Sequence, residues 1–279
     1  MASRPGTLPG GGVRPRPRPW WHGARGWCPT WPGRWLPSSA WRRCADVGGR
    51  ASKGPRRPVI AIDGPTAAGK STVAREVARR LGLDYVDTGA MYRSVAWAAL
   101  QRRVNLADAA TLERLAATLR IETIAGEAGQ RVLVDGQDVT LAIRSPEVSE
   151  AASAVSAVPG VLAALVALQR RRAAIGGVVM EGRDIGTVVL PDADVKVFLQ
   201  ASLEARVRRR HAELRARGVQ TTLEAVRRQE AARDRRDETR AHSPLRAAAD
   251  AVVIDTTSRR PEEVVEAILR LVHERSRAS

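Results

Sequence analysis

The chain has 279 residues, of which 44% are hydrophobic and 27% are charged. This composition is that of an ordinary soluble protein with one large domain or two smaller ones, which excludes a wholly disordered chain and a collagen-like fibre. No run approaches about eighteen apolar residues without a charge, so we expect no transmembrane helix, no membrane partner and a cytoplasmic location.

The first 57 residues differ in charge from the rest of the chain. They contain 12 Lys and Arg residues and one acid, which gives +11, whereas residues 58–279 contain 34 basic residues and 29 acids, which gives +5. Residues 1–57 are also rich in Pro, Gly and Trp and lack the apolar period of a helix or a strand. We therefore expect a disordered leader followed by one folded domain over residues 58–279.

Three interpretations of this leader remain open. Its arginines resemble those of an organellar transit peptide, although its prolines would break the amphipathic helix of such a peptide. Interleaved Arg and Trp can bind phosphates and stack on bases, which would make the leader an RNA-binding tail. The third interpretation, which we favour, is an upstream extension without a selected function, because the sequence contains no recognised nucleic-acid module.

A phosphate-binding loop opens the second part of the chain. Residues 58–63 (PVIAID) predict a buried parallel strand, and a helical apolar period follows over residues 72–81. Between them the sequence fits GxxxxGK[ST], a pattern whose small residues let backbone N–H groups surround a phosphate. The residues expected to bind a nucleoside triphosphate are Gly64, Pro65, Thr66, Ala67, Ala68, Gly69, Lys70, Ser71 and Thr72.

Two residues of this loop have expected roles beyond packing. Lys70 supplies a cation for the β- and γ-phosphates, and the Ser71 hydroxyl is suited to ligate Mg²⁺. The chain has only three lysines against 43 arginines, so a lysine here is not background composition. ATP and Mg²⁺ are therefore the expected cofactors. GTPases are excluded because the only asparagine, Asn105, is not part of an Asn-Lys-x-Asp motif, while a mechanical ATPase and a kinase both stay open.

Charged residues follow two further predicted strands. After residues 83–86, Asp87 or Thr88 caps a predicted helix that carries Arg93 about one turn inside it. After the predicted strand at residues 177–180, the charged residues are Glu181, Arg183 and Asp184. Because the carboxyl ends of parallel strands line the ligand crevice of an α/β sheet, we expect these side chains beside the phosphate-binding loop.

An insert of antiparallel strands is predicted at about residues 118–150. Residues 119–124, residues 131–135 and a short piece near Val139 alternate between apolar and polar residues. The glycines that separate them are Gly126, Gly129 and Gly136. The remaining strands alternate with helices, which predicts a doubly wound parallel α/β sheet around this insert.

A basic helix is predicted over residues 221–240, within a lid of about residues 221–242. It opens with a capping box formed by Thr221 and Glu224. The spacing i, i+4, i+7 places Arg233, Asp237 and Arg240 on one face of this helix. Arginine is suited to a lid over phosphates because its guanidinium group forms paired hydrogen bonds with them.

Five segments, in this order, resemble the bacterial cytidylate kinases: DGPTAAGKST, DTGAMYR, AASAVSAVP, EGRDIGTVVLPDADVKVFL and RDRRDETRAHSPL. The resemblance spans residues 58–279. It implies a P-loop nucleoside monophosphate kinase that moves the γ-phosphoryl group of ATP to CMP or dCMP, with an insert that binds CMP and an arginine lid. We expect such an enzyme to be a monomer.

The resemblance also assigns residues to the acceptor and to catalysis. The matching acceptor positions are Asp87, Thr88, Arg93, Ser153, Arg183, Asp184, Arg233, Asp237 and Arg240. Among these, Ser153 and Asp184 fall where the family recognises cytosine. The expected catalytic residues are Lys70, Arg183, Arg233 and Arg240. The chain departs from the family at Leu162, where an arginine is usual, and this departure bears on the affinity for CMP.

Two rival functions remain at this point. One is a kinase of the same fold that acts on a different acceptor, such as UMP or shikimate. The other is an RNA-binding protein that uses the leader and retains a vestigial kinase fold.

Overall fold

The computed structural model describes residues 57–124 and 130–278, all within the compact unit Lys53–Ser279. The expectations for residues 1–56, Gly126 and Gly129 lie outside the described residues. Arg57, the last residue of the predicted leader, accepts a hydrogen bond through its carbonyl oxygen from the N–H of Gly177 at 3.2 Å.

A parallel sheet of five strands forms the centre of the described part of the chain. Its strands are β1 (Val59–Asp63), β2 (Asp84–Asp87), β6 (Val178–Gly182), β7 (Val195–Gln200) and β8 (Val252–Asp255). They lie in the order β2-β6-β1-β7-β8, which confirms the predicted doubly wound sheet. Every residue of β1 and β6 is buried, as the apolar sequence of a strand covered on both faces requires.

Helices cover both faces of this sheet. The α-helices of the described residues are α1 (Lys70–Leu81), α2 (Thr88–Gln101), α3 (Ala109–Thr118), α4 (Pro146–Val155), α5 (Pro159–Ala173), α6 (Leu203–Ala216), α7 (Leu223–Glu238) and α8 (Pro261–Ala278). On one face, Ile60 and Ile62 pack in a core with side chains of α1 and α8. On the other face, Val59 and Ala61 pack with α2, α4 and α5. This alternation follows from the period of two in a strand.

The predicted antiparallel insert is confirmed. It consists of β3 (Ile121–Ile124), β4 (Arg131–Val134) and β5 (Gln137–Asp138), paired in that order. Between β4 and β5, Asp135 and Gly136 have φ angles of 49° and 83°. Two consecutive positive φ angles are typical of the tight turns that join hairpin strands, and glycine adopts them without steric cost.

The lid helix α7 is shorter than predicted at both ends. Its N-terminal cap is Thr222, whose hydroxyl accepts a hydrogen bond from the N–H of Ala225 at 3.1 Å, so the predicted capping box of Thr221 and Glu224 is wrong. The helix ends at Glu238, and Arg240 therefore lies beyond the helix rather than on its face. The chain then turns back, since the N–H of Leu245 donates to the carbonyl of Asp237 at 2.8 Å.

No single helix among the described residues is long and apolar enough to cross a bilayer. Helices α4 and α5 reach that composition only as a pair, and the pair is bent by 100°.

Candidate active site

A cleft of about 710 Å³ lies where β1, β2 and β6 end, between the phosphate-binding loop, α4 and the lid. The predicted residues that line it are Thr66, Ala67, Ala68, Gly69, Lys70, Ser71, Thr72, Asp87, Thr88, Arg93, Ser153, Arg183, Asp184, Arg233, Asp237 and Arg240. Of the predicted set, Gly64 and Pro65 do not line it. Gly64 has a packing role, because a Cβ there would come within 2.1 Å of the carbonyl oxygen of Leu199 on β7.

The phosphate-binding loop is supported from outside through its carbonyl groups. Arg209 of α6 donates to the carbonyl of Ala67 at 3.4 Å, and the hydroxyl of Thr256 donates to the carbonyl of Ala68 at 3.0 Å. Ala67 has a φ of 58°, a left-handed conformation that a residue with a side chain seldom adopts. Gly69 follows at φ 93° and caps the N-terminus of α1, whose first N–H groups have no partner within the helix.

Lys70 is buried at the start of α1. Its ammonium group donates a hydrogen bond to the carbonyl of Pro65 at 2.7 Å. Burial and the neighbouring guanidinium group of Arg183 lower the pKa of Lys70 below its usual range. A bound anion would reverse this effect, because an opposite charge nearby favours the protonated form. Lys70 is thus placed to respond to a phosphate.

Glu181 is a buried carboxylate at the end of β6. The sequence predicts it beside the phosphate-binding loop but does not assign it a binding or catalytic role. The hydroxyl of Tyr85, on β2, donates to this carboxylate, and the hydroxyl of Ser71 is a second partner. Burial and the neighbouring Asp87 raise the pKa of Glu181. In the sequence, an acidic residue at the end of a predicted buried strand was the signal for a functional role of Glu181. No sequence pattern marked Tyr85 as a site residue.

Asp87 and Thr88 fix the start of α2. Asp87 is the cap, as one of the two predicted alternatives, and its carboxylate accepts from the N–H of Ala90 and from Arg93, each at 2.9 Å. Burial opposes the charge on Asp87, but Arg93 and the N–H of Ala90 lower its pKa overall. The hydroxyl of Thr88 donates to the carbonyl of Glu181 at 2.7 Å and so joins α2 to β6.

Arg183 lies between the phosphate-binding loop and the lid. It donates to the hydroxyl of Thr66 at 2.7 Å and to the carboxylate of Asp237 at 2.9 Å. Asp237 also accepts from Arg240 at 2.6 Å, although Arg240 lies beyond the end of α7. Burial opposes ionisation of Asp237, but these two arginines lower its pKa overall. Asp237 and Arg240 of the predicted lid are therefore in contact with each other and, through Asp237, with Arg183.

Four buried polar atoms of predicted site residues have no hydrogen-bond partner among the described residues. They are Arg93 Nε, Ser153 Oγ, Asp184 Oδ2 and Arg233 Nε. Each of these residues lines the cleft. Because buried polar atoms are normally paired, four such atoms around one cleft indicate a polar ligand.

The cleft also contains side chains outside the predicted set. Arg144 reaches it from a single turn of 3-10 helix, Ala142–Arg144, and its charge lowers the pKa of Asp87. Leu162 lines the same cleft from α5, half-buried against the core. The resemblance predicts an arginine at this position, where the chain has an apolar side chain. Further lining residues that the sequence did not identify are Ser149, Ser156, Arg210, Glu213, Arg217 and Arg259.

Comparison with known proteins identifies the family of this chain. The family model described as Cytidylate kinase matches residues 60–274. A cytidylate kinase of Geobacillus sp. (strain WCH70) is 53% identical over 216 residues, which cover 77% of this chain and 96% of that protein. A cytidylate kinase of Pelotomaculum thermopropionicum is 55% identical over 217 residues, which cover 77% and 96%.

Among solved structures, a shikimate kinase from Acinetobacter baumannii in complex with shikimate aligns with a TM-score of 0.41 and 15% identity. The alignment covers 79% of this chain and 95% of the shikimate kinase, and a similarity of that size does not bear on the acceptor. The family model and the relatives above 50% identity, in contrast, cover nearly the whole described domain. The chain belongs to the cytidylate kinase family.

Proposed function

We propose that this protein transfers the γ-phosphoryl group of ATP to CMP or dCMP and releases ADP with CDP or dCDP. The observation that carries this proposal is the position of Arg183, which contacts Thr66 of the phosphate-binding loop and Asp237 of the lid. Phosphoryl transfer between two nucleotides requires a donor site and an acceptor site in line with each other, and an arginine between them can contact both nucleotides.

The donor side would bind the triphosphate through the N–H groups of the loop and of the first turn of α1. Lys70 would neutralise the β- and γ-phosphates. Ser71 and Glu181 offer a hydroxyl and a carboxylate, which are the oxygen ligands that Mg²⁺ prefers alongside phosphate oxygens and water. When bound, Mg²⁺ would neutralise charge on the transferring group.

The acceptor side would bind the monophosphate through Arg93 and Arg183. Cytosine carries an amino group that donates hydrogen bonds, and the unpartnered Oδ2 of Asp184 is a suitable acceptor for it. The unpartnered hydroxyl of Ser153 can donate or accept at another edge of the ring. These two atoms support a role in selecting the base.

The reaction needs no general base, because the attacking group is itself a phosphate that is ionised at neutral pH. An oxygen of the CMP phosphate forms a bond to the γ-phosphorus while the bond to the β-phosphate oxygen breaks, and ADP leaves. The charge that spreads over the γ-phosphoryl oxygens would be stabilised by Arg183, Arg233 and Arg240. A closed lid would also keep water from the γ-phosphate and so limit hydrolysis of ATP.

A steady-state comparison of acceptors tests this proposal. The purified chain is supplied with Mg²⁺, ATP and one of CMP, dCMP, UMP, AMP or shikimate, and ADP and the phosphorylated product are quantified. We expect CMP and dCMP to give the highest kcat/KM. A higher kcat/KM for UMP or shikimate would overturn the acceptor assignment. Failure to form any CDP would overturn the proposed function.

We further propose that the enzyme acts as a cytoplasmic monomer. The described residues of a single chain supply donor and acceptor side chains to the same cleft, which supports a monomer. Light scattering at the concentration used for kinetics would measure the mass. A dimer that dissociates with loss of activity would contradict this proposal.

A further inference from the structure

A second arginine, Arg206, connects the phosphate-binding loop with the lid, outside the cleft. It lies on α6, is 5% exposed, and is not among the side chains that line the cleft in the described part of the chain. The sequence does not distinguish Arg206, because α6 contains several other arginines at similar spacing.

On the loop side, Arg206 binds backbone carbonyl groups. Its Nη1 lies 3.5 Å from the carbonyl oxygen of Thr66, and its Nε donates to the carbonyl of Ala201, just after β7, at 3.1 Å. Thr66 is the residue whose hydroxyl accepts from Arg183. The backbone of Thr66 therefore contacts Arg206, while its side chain contacts the arginine that we place between the two substrates.

On the lid side, Arg206 binds carboxylates of α7. Its guanidinium group forms a paired interaction with Asp234, with Nη1 to Oδ1 at 3.0 Å and Nη2 to Oδ2 at 2.6 Å. Glu230, one turn earlier on α7, lies 4.0 Å away and is itself buried. A planar guanidinium group with two parallel bonds fixes orientation as well as distance, which a lysine cannot do.

The contacts of Arg206 distinguish it from the arginines of the site. Its Nε and both of its terminal nitrogens have protein partners, whereas the Nε of Arg233 has none among the described residues. Arg206 is therefore committed to protein groups, and Arg233 has a donor available for a ligand. A residue of this kind acts on the reaction through the groups that it orients.

We propose that Arg206 is a positioning residue that couples the lid to the phosphate-binding loop, so that occupation of the donor site by ATP favours the lid position that binds the acceptor. This inference rests on the proposed function. The Arg183–Asp237 contact opens when phosphates bind Arg183, and the Arg206–Asp234 contact then remains as the pivot of α7. Loss of Arg206 would therefore uncouple ATP binding from acceptor binding without removing a side chain that binds phosphate.

The test is the coupling between the two nucleotides. The Kd of CMP is measured by calorimetry with and without the non-hydrolysable analogue AMP-PNP and Mg²⁺, and the ratio is the coupling factor. We expect a factor of about 5 or more in the unaltered protein and a factor near 1 in Arg206→Met, within the usual range of coupling between sites. The Kd of AMP-PNP alone should change less than about threefold, and kcat for CDP should fall at least about tenfold, since misplaced groups lose that much or more.

Matched variants make the outcome specific. Arg208→Met, two residues along α6 at an exposed position, should leave the coupling factor and kcat unchanged. Asp234→Asn should reproduce the loss, and the double variant should lose no more than either single one, because all three remove one contact. Asp234→Asn also carries the test if Arg206→Met fails to fold.

The outcomes separate this inference from the proposed function. If the unaltered protein forms CDP but has a coupling factor near 1, or if Arg206→Met and Asp234→Asn retain its factor, the role of Arg206 is overturned and the function stands. An equal loss in Arg208→Met overturns the role as well. If the unaltered protein forms no CDP, the proposed function is overturned.

Discussion

Arg183 and Asp237 form a largely buried ion pair, with 2.9 Å between Nε and Oδ2, that joins the end of β6 to the lid. Asp237 is 2% exposed and contacts Arg240 as well, so one carboxylate lies between two of the arginines that we expect to bind phosphates. Without this carboxylate the guanidinium groups would repel each other in a site of low dielectric constant.

Asp237→Asn tests the importance of that charge. We expect the free energy of unfolding to fall by about 3 kcal/mol, because removing one partner of a buried pair leaves the other charges uncompensated. Thermal or urea unfolding measures the loss. Glu238→Gln, at the next and exposed position of α7, is the control and should change stability by less than about 0.5 kcal/mol. Equal losses in the two variants would contradict a special role for Asp237.

Arg233→Ala and Arg240→Ala should each reduce kcat for CDP by about 10³-fold or more, as arginines that stabilise a transferring phosphoryl group do. The Tm of each variant should stay close to that of the unaltered protein, because neither arginine lies in the apolar core and Asp237 keeps its ion pair with Arg183 when Arg240 is removed. Arg235→Ala, exposed on the same helix, is the control for kinetics. Retained turnover in either cleft variant would refute its assignment to catalysis.

Leu162→Arg should lower the KM for CMP. The new guanidinium group would lie in the cleft and restore a charge-assisted contact worth about 1.5 to 3 kcal/mol, which corresponds to about 10- to 100-fold in affinity. Leu162→Met is the control for altered packing and should leave the KM unchanged. An unchanged or higher KM in Leu162→Arg would show that another side chain already makes this contact, and Arg144 is the first to test.

Titration of Asp63 makes the stability of the protein depend on pH, and comparison with an Asp63 variant separates this contribution from those of other groups. Its carboxylate accepts from the N–H groups of Ile185 and Gly186 at 2.9 and 2.7 Å, yet burial raises its pKa from 3.8 to about 6. Between pH 3.8 and 6 the folded state therefore binds more protons than the unfolded state, so stability falls as pH rises. The total loss in free energy of unfolding is about 3 kcal/mol, and the loss is complete above pH 6.

The stability difference between the unaltered protein and Asp63→Asn, measured from pH 4 to pH 8, tests this effect. The advantage of the carboxyl group should decrease between pH 4 and 6 and stay constant above pH 6. Other titrating groups are shared by both proteins and largely cancel in the difference. A constant or rising advantage over pH 4 to 6 would contradict the raised pKa.

Deletion of residues 1–56 should leave kcat and KM for CMP within about twofold of the full chain, because no predicted site residue precedes Gly64. Arg57 is kept because its carbonyl group bonds to Gly177. RNA binding of both proteins is measured at several salt concentrations. Binding that weakens with salt and disappears on deletion would support a nucleic-acid role for the leader. Loss of kinase activity would contradict our view that it is dispensable.

The sequence predicted those parts of the site that are local in the chain. The phosphate-binding loop, the cap of α2 and the charged segment after β6 each follow from a pattern of neighbouring residues, and each lies at the cleft. The predicted capping box was wrong because two adjacent threonines precede α7, and either could be the N-terminal cap. The carbonyl of Thr221 faces His211 at 3.2 Å, and the following residue, Thr222, became the cap.

Other site residues could not be found from local pattern. Arg144 enters the cleft only because the insert folds beside α2, and Tyr85 meets Glu181 only because β2 pairs with β6, 96 residues further along the chain. Arg206 is one of several arginines on α6, and its burial against Thr66 and Asp234 sets it apart. These are contacts between distant segments, on which sequence spacing carries no information.

The amino-acid sequence by itself determined the parallel sheet, the phosphate-binding loop and the kind of chemistry, because strand period, glycine spacing and the lysine of the loop are local patterns of a few residues. Only the tertiary structure decided which arginines line the cleft and which bind protein groups outside it. A guanidinium group has the same chemistry wherever it lies in the chain, and its role depends on whether carboxylates and carbonyl groups of other segments already occupy its donors.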